Sequence, residues 1–156
     1  MTRSIIITFL ASLALTAQAP NVVTTTSTFQ RVVIVRLRNR TDMLQGLQEA
    51  IAREKIKNAV ILSGFGSVTS YHVHVVGNTT LPPKDVFTRY GGPYDILTAS
   101  GLVMNSRLHC HITFANTQHV LGGHLEEGTS VFTFANISIG VLKDDIDISR
   151  NDDWKW

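Results

Sequence analysis

The stretch LHCHITFANTQHVLGGHL, residues 108–125, carries four of the six histidines of the chain within eighteen positions. The run RLHCHITFA (107–115) reads as a β-strand, because β-branched and aromatic residues alternate with polar ones and a turn-like Asn-Thr-Gln follows. Residues i and i+2 of a strand project from one face about 6.6 Å apart along the chain. His109 and His111 can therefore lean onto one ion at roughly 2.0–2.1 Å each. Cys110, between them, points to the opposite face, which makes it a core thiol rather than a ligand. A third ligand has to come from another segment. After the Ala-Asn-Thr-Gln turn the chain passes a Gly-Gly pair, which permits a sharp bend or a close backbone approach, so His124 can return beside the first two. Three neutral imidazoles with an open fourth position are the pattern of reactive or ligand-binding zinc sites, whereas closed structural sites recruit more cysteine. On spacing alone the other reading, polar residues on a half-solvated strand, stays open. His119 falls in the turn and is expected in solvent.

A second H-x-H, His72 and His74 in SYHVHVV (70–76), lies on one strand face. The pair could line the same cleft, donate hydrogen bonds to the ligands, bind a second ion, or stand half-exposed, and the sequence does not separate the two. Glu126 and Glu127 follow His124 within three residues. One of them, with Glu127 as the candidate catalytic residue, could orient a metal-bound water or act as general base; a solvated pair before Gly128 is the alternative. Asp95, an acid among the apolar residues of PYDIL, suggests a paired or interface role, with Arg107 and Arg89 as candidate partners.

The flanking sequence sets these residues in an α+β frame. RVVIVRLR (31–38) has the composition of a strand, and TDMLQGLQEAIAREKI (41–56) then switches to a helical period. Thr41 or Asp42 can cap this helix, and Leu44, Leu47, Ile51 and Ile56 fall roughly on one face. From Asn58 onward strands dominate: 58–68, 70–77, 94–104, 107–115 and 130–142, separated by Gly, Pro, Asn and Ser clusters. A central, mostly antiparallel sheet with one main helix packed on it is the architecture implied. SGFGS (63–67) resembles a phosphate-binding loop, but such a cradle needs a helix immediately after it. Here a strand follows, so a bulge or tight turn is expected.

At 156 residues, with 44% hydrophobic and 17% charged side chains, the chain has the makings of one globular domain with a real core. Met-Thr-Arg, the apolar SIIITFLASLALT and AQA at 17–19 succeed one another in the order of a secretory signal peptide, too short to span a bilayer. The expected organisation is a signal peptide over 1–19, a flexible leader over 20–28, the domain over 29–143 and a C-terminal tail over 144–156, in a protein that is periplasmic or secreted. Losing Arg3 leaves 13 basic side chains against 12 acidic ones, with no run of Lys or Arg. Nucleic-acid binding is thereby disfavoured. A single cysteine excludes an intrachain disulfide, and no later segment is long and apolar enough to enter a membrane.

Three motifs in order, GGPYDILTASGLV (91–103), LHCHITFA (108–115) and GGHLEEGTSVF (122–132), resemble the successive signatures of the PPC domain, named for its occurrence in plants and prokaryotes. The resemblance runs from about Phe29 to Leu142. It implies an α+β subunit with a central antiparallel sheet, assembly as a homotrimer, and a metal, commonly zinc, held by His109, His111 and His124. The usual label of the family is DNA-binding; in plant members the domain accompanies AT-hooks, and no such segment occurs in this chain. HITFANTQHV (111–120) also stands where many members have a Ser-Leu-Ser-Asp-like stretch, so no role of that Asp transfers. Three functions remain in view: an exported metal-binding trimer taking a small or anionic ligand, a metal-dependent hydrolase or lyase, and a DNA-associated protein.

Overall fold

The computed structural model describes residues 21–155, so the signal peptide expected over 1–19 lies outside the described residues. Six strands and one helix follow in the order β1 (Phe29–Arg38), α1 (Met43–Arg53), β2 (Ala59–Val76), β3 (Asp85–Met104), β4 (Arg107–Ala115), β5 (Val120–Leu125) and β6 (Ser130–Leu142). Every pairing is antiparallel. The strand order is β1-β6-β2-β3-β4-β5, and β5 returns to pair with the far part of β2. The strands β2, β3, β4 and β5 thus close into a ring, with β6 and β1 continuing the sheet from the near part of β2. The fold is α+β as expected, with a small helical share.

The helix begins at Asp42, whose Oδ1 accepts from the Gln45 amide at 3.0 Å while Oδ2 accepts from the Gly128 amide at 2.6 Å. One carboxylate therefore caps the helix and ties it to the turn before β6. Met43, Leu47, Ala50 and Ile51 are buried, as an apolar stripe recurring every three to four residues requires. The helix stops at Arg53, short of the expected Ile56. Lys55 turns left-handed at φ 52°, and the Ile56 amide bonds back to the Ile51 carbonyl at 3.0 Å and the Lys55 amide to Ala52 at 3.2 Å. This pattern is a Schellman stop; Ile56 is buried because the stop folds it inward, not because the helix reaches it.

The two strands expected over 58–68 and 70–77 are one eighteen-residue strand, β2, whose register against β6 shifts near Ile61, Gly66 and Val68. SGFGS is the bulged interior of that strand, which agrees with the expectation that it is no phosphate loop. Likewise β3 starts at Asp85 rather than Tyr94. Gly91, Gly92 and Pro93 do not break it, because they sit where its register against β2 slips between Val68 and Ser70. Inside, Tyr71 stacks on Phe114 at 5.6 Å between ring centres and meets Tyr94 edge-on at 5.1 Å. Among the described residues no helix is long and apolar enough to cross a membrane.

Candidate metal centre

The alternation of β4 decides which side chains reach the surface. Leu108, Cys110 and Ile112 are buried in the core, whereas His109 and His111 face outward. Cys110 is only 1% exposed, and burial pushes its thiol up to about 12, so it faces the core, away from His109 and His111. Pairing then brings in the neighbours. His111 lies directly opposite His124 on β5, and His124 directly opposite His74 on β2. Residues paired in register share a face, so β4, β5 and β2 lay down a row of three imidazoles with His109 beside it.

The strand β5 (VLGGHL) stands where the Gly-Gly pair leads the sequence to expect a bend. Its glycines act by omission. A Cβ on Gly122 would lie 2.4 Å from the Ile112 carbonyl oxygen of β4, and one on Gly123 would lie 2.5 Å from the His74 carbonyl oxygen of β2. The pair lets β5 fit between two strands at once, and that fit delivers His124.

Among the described residues, His109, His111 and His124 form the one group whose side-chain ligand atoms all lie within 4.8 Å of one another. The Nε2 atoms of His109 and His111 are 3.1 Å apart. Two nitrogens bound tetrahedrally at 2.0–2.1 Å stand about 3.3 Å apart, so this pair needs little movement to share an ion. The His124 ring meets His109 edge-on at 4.5 Å and His111 at 5.5 Å between centres. Burial, then the neighbouring His109, His74 and His111, pushes His124 down to about 4, while Glu126 opposes the shift. Burial also lowers His111, with His109 and His74 adding to it. The protonated form is thus disfavoured, and the neutral imidazole that a metal requires predominates. A donor set of three imidazoles suits zinc among divalent metals.

The other expected residues are distributed around this group. His74 stacks on His124 at 4.6 Å, its Nδ1 is 2.6 Å from Glu126 Oε1, and its Nε2 is 3.8 Å from Asp85 Oδ1. It supports the site from behind. His72 is held in the scaffold: its Nδ1 donates to the Glu127 carbonyl at 2.7 Å, and its backbone bonds to Thr129. The Glu127 carboxylate accepts from Gln45 on α1 at 2.5 Å, so Glu126 is the carboxylate that touches the histidine row. Asp95 pairs in register with Ala115, four residues along β4 from His111, roughly 13 Å away at strand rise. Arg107 pairs with Asp152 rather than Asp95, and Arg89 lies against Gly128. His119 is exposed in a turn organised by Asn116, whose Oδ1 accepts from the amides of Gln118 and His119.

One contact of the histidine group escaped the sequence. Asp152, in the tail after β6, takes Arg107 on both carboxylate oxygens at 2.5 and 2.8 Å, and its Oδ2 is also 3.0 Å from His109 Nδ1. The Arg107 guanidinium, helped by His109, holds the Asp152 carboxyl far below the usual carboxylate range.

The profile of the Plants and Prokaryotes Conserved (PCC) domain, the PPC domain of the motif comparison, matches residues 24–143. The chain belongs to this family. Three solved structures show how far the fold of the PCC domain extends. A PPC protein from Pyrococcus horikoshii is 24% identical, with 80% of this chain and 87% of that one covered at a TM-score of 0.67. A metal-containing protein from Archaeoglobus fulgidus is also 24% identical, covering 77% and 86% at 0.66. A candidate DNA-binding protein from Bacteroides thetaiotaomicron is 17% identical, covering 79% and 87% at 0.64. At these identities the likeness is one of fold. No curated protein matches the chain.

Proposed function

We propose that this PCC-domain protein is an exported homotrimer that holds one zinc ion through His109, His111 and His124 and offers the fourth position to a small or anionic ligand. The observation that carries the reading is the convergence of three imidazoles from β4 and β5 within 4.8 Å, with His124 kept neutral to about 4 by burial and its neighbours. Bound zinc would supply a Lewis-acidic centre for a carboxylate, phosphate or hydroxide oxygen. The residues of the chain position it: His74 backs His124, and Glu126 holds His74. Assembly is supported by an apolar outer face, where Val32, Ile34, Leu62, Phe65, Leu97 and Phe132 are 45–63% exposed on four adjacent strands. An exposed patch of that extent marks an interaction surface. Export is supported by the order of basic, apolar and small residues over 1–19.

A second reading, a metal-dependent hydrolase or lyase, draws on the Glu126–His74 contact at 2.6 Å, an acid–base pair one strand away from the imidazole group. Turnover abolished by chelator and by Glu126→Gln or Glu127→Gln would favour it. The DNA-associated reading comes from the names of relatives such as the Bacteroides protein; a salt-dependent gel shift is its minimum evidence.

Metal analysis and light scattering on the mature protein test the main proposal. One zinc per subunit, a trimer mass, and loss of the metal in His111→Ala are expected. A metal-free protein after zinc reconstitution, or full zinc in His111→Ala, would overturn the site.

A further inference from the structure

The PCC-domain match ends at residue 143, yet the segment beyond it is fastened to the sheet beside the histidines. The Asn58 side chain donates to the Ile146 carbonyl at 3.1 Å, Ile148 is buried, and Arg107 donates to the Ser149 carbonyl at 3.3 Å. These anchors lead the chain to Asp152, whose carboxylate is only 18% exposed and lies between Arg107 and His109.

From this arrangement we infer that Asp152 is a positioning residue for the metal centre, so that the C-terminal tail, outside the family domain, completes the site. This inference rests on the three-histidine reading and deepens it. The argument is one of proton placement. A carboxylate that already accepts two guanidinium bonds has only acceptor capacity to offer. His109 Nδ1, 3.0 Å from Asp152 Oδ2, must therefore carry the hydrogen. The ring is then fixed in the Nδ1–H tautomer, and its free lone pair lies on Nε2, the atom 3.1 Å from His111 Nε2. A carboxylate behind a histidine ligand both fixes the ring orientation and raises the basicity of the ligating nitrogen. Arg107 in turn keeps Asp152 ionised and in place. Arg107 and His109 are two residues apart on β4 and so share its outer face, which is why one carboxylate reaches both.

The test uses the full-length mature chain, stripped of metal and titrated with zinc against a chromophoric chelator. Asp152→Ala and Asp152→Asn are expected to raise the zinc Kd by about 10- to 100-fold, and Arg107→Ala to raise it in the same direction by less. Asp153→Asn, one residue on and paired with the neighbouring Arg150 side chain and Lys155 backbone, should leave it within twofold. A second readout is independent of affinity: long-range proton–nitrogen spectra of the metal-free protein should show His109 protonated at Nδ1, and Asp152→Ala should move that proton toward Nε2. His111→Ala is measured alongside. If it abolishes zinc binding while both Asp152 variants keep the wild-type Kd and tautomer, the inference fails and the three-histidine site stands. If His111→Ala binds zinc as wild type, the underlying site is wrong.

Discussion

Replacing Gly101 by Ala should damage the candidate metal centre without touching a candidate ligand. Gly101 lies in β3 directly opposite Cys110, at φ +149°. A Cβ built there would stand 2.0 Å from the His109 carbonyl oxygen and 3.0 Å from the Cys110 Cα. Two costs follow. The backbone conformation is one that only glycine adopts readily, worth about 1–3 kcal/mol. The carbon–oxygen overlap requires the two strands to part by roughly 1.3 Å to reach an ordinary contact of about 3.3 Å, which weakens at least one ladder hydrogen bond at about 1 kcal/mol. A total of about 2–4 kcal/mol lies in the middle to upper range for a single substitution and corresponds to a fall in Tm of about 6–16 °C in a domain of this size. Because the displaced atom belongs to His109, zinc affinity should fall with stability. Gly91, in the same strand, has no atom within 4 Å of its would-be Cβ, and Gly91→Ala should change stability by no more than about 1 kcal/mol. Thermal unfolding of the metal-free proteins by far-UV circular dichroism, at one subunit concentration, with chelator competition for zinc, measures both effects. A Gly101→Ala protein melting within 3 °C of wild type, or a Gly91→Ala protein melting as low as Gly101→Ala, would refute the reasoning.

Cys110→Ser should retain one zinc per subunit while losing about 1–3 kcal/mol for its buried hydroxyl, and metal content with a thermal melt checks both. The Cys110 thiol, pushed up to about 12 by burial, should resist iodoacetamide at pH 8 in the folded protein and react once urea unfolds it, as intact mass would record; rapid labelling of the native protein would contradict the inward placement. Asp42→Ala removes both the helix cap and the acceptor for Gly128, so a loss of about 1–2 kcal/mol is expected with zinc stoichiometry unchanged. Phe65→Asp, on the exposed apolar face, should shift the light-scattering mass from trimer to monomer with the circular dichroism spectrum preserved; an unaltered mass would place the interface elsewhere.

The alternation of RLHCHITFA was enough to place His109 and His111 outward and Cys110 inward, because a period of two leaves no other arrangement for a strand with one buried face. The helix start was legible to within one residue, at Thr41 or Asp42, for a similar reason: a capping side chain acts on amides two or three residues away, and the structure gives the role to Asp42. Its end was not, since Lys55 is an ordinary residue in a left-handed stop that glycine would have advertised. Gly91, Gly92 and Pro93 were read as punctuation, yet register slippage against β2 absorbs them. β5 was hidden in the same way: Gly-Gly signals a turn locally, and the need for bare backbone against both β4 and β2 exists only after those strands have met. Asp152 is 43 residues from His109, and an acid in a polar tail carries no local mark of its partner.

The three candidate ligands all belong to the hairpin of β4 and β5, spanning sixteen residues across the turn at Asn116–His119. Closing so short a loop costs little chain entropy, and hairpins of this kind form on the microsecond scale. β2, by contrast, meets β5 through Val73 and His74, about fifty residues away. An ion caught by the hairpin would therefore not have to wait for the ring to close: metal capture and completion of the sheet would be separable in time, and a bound metal would clasp the hairpin ahead of its pairing with β2.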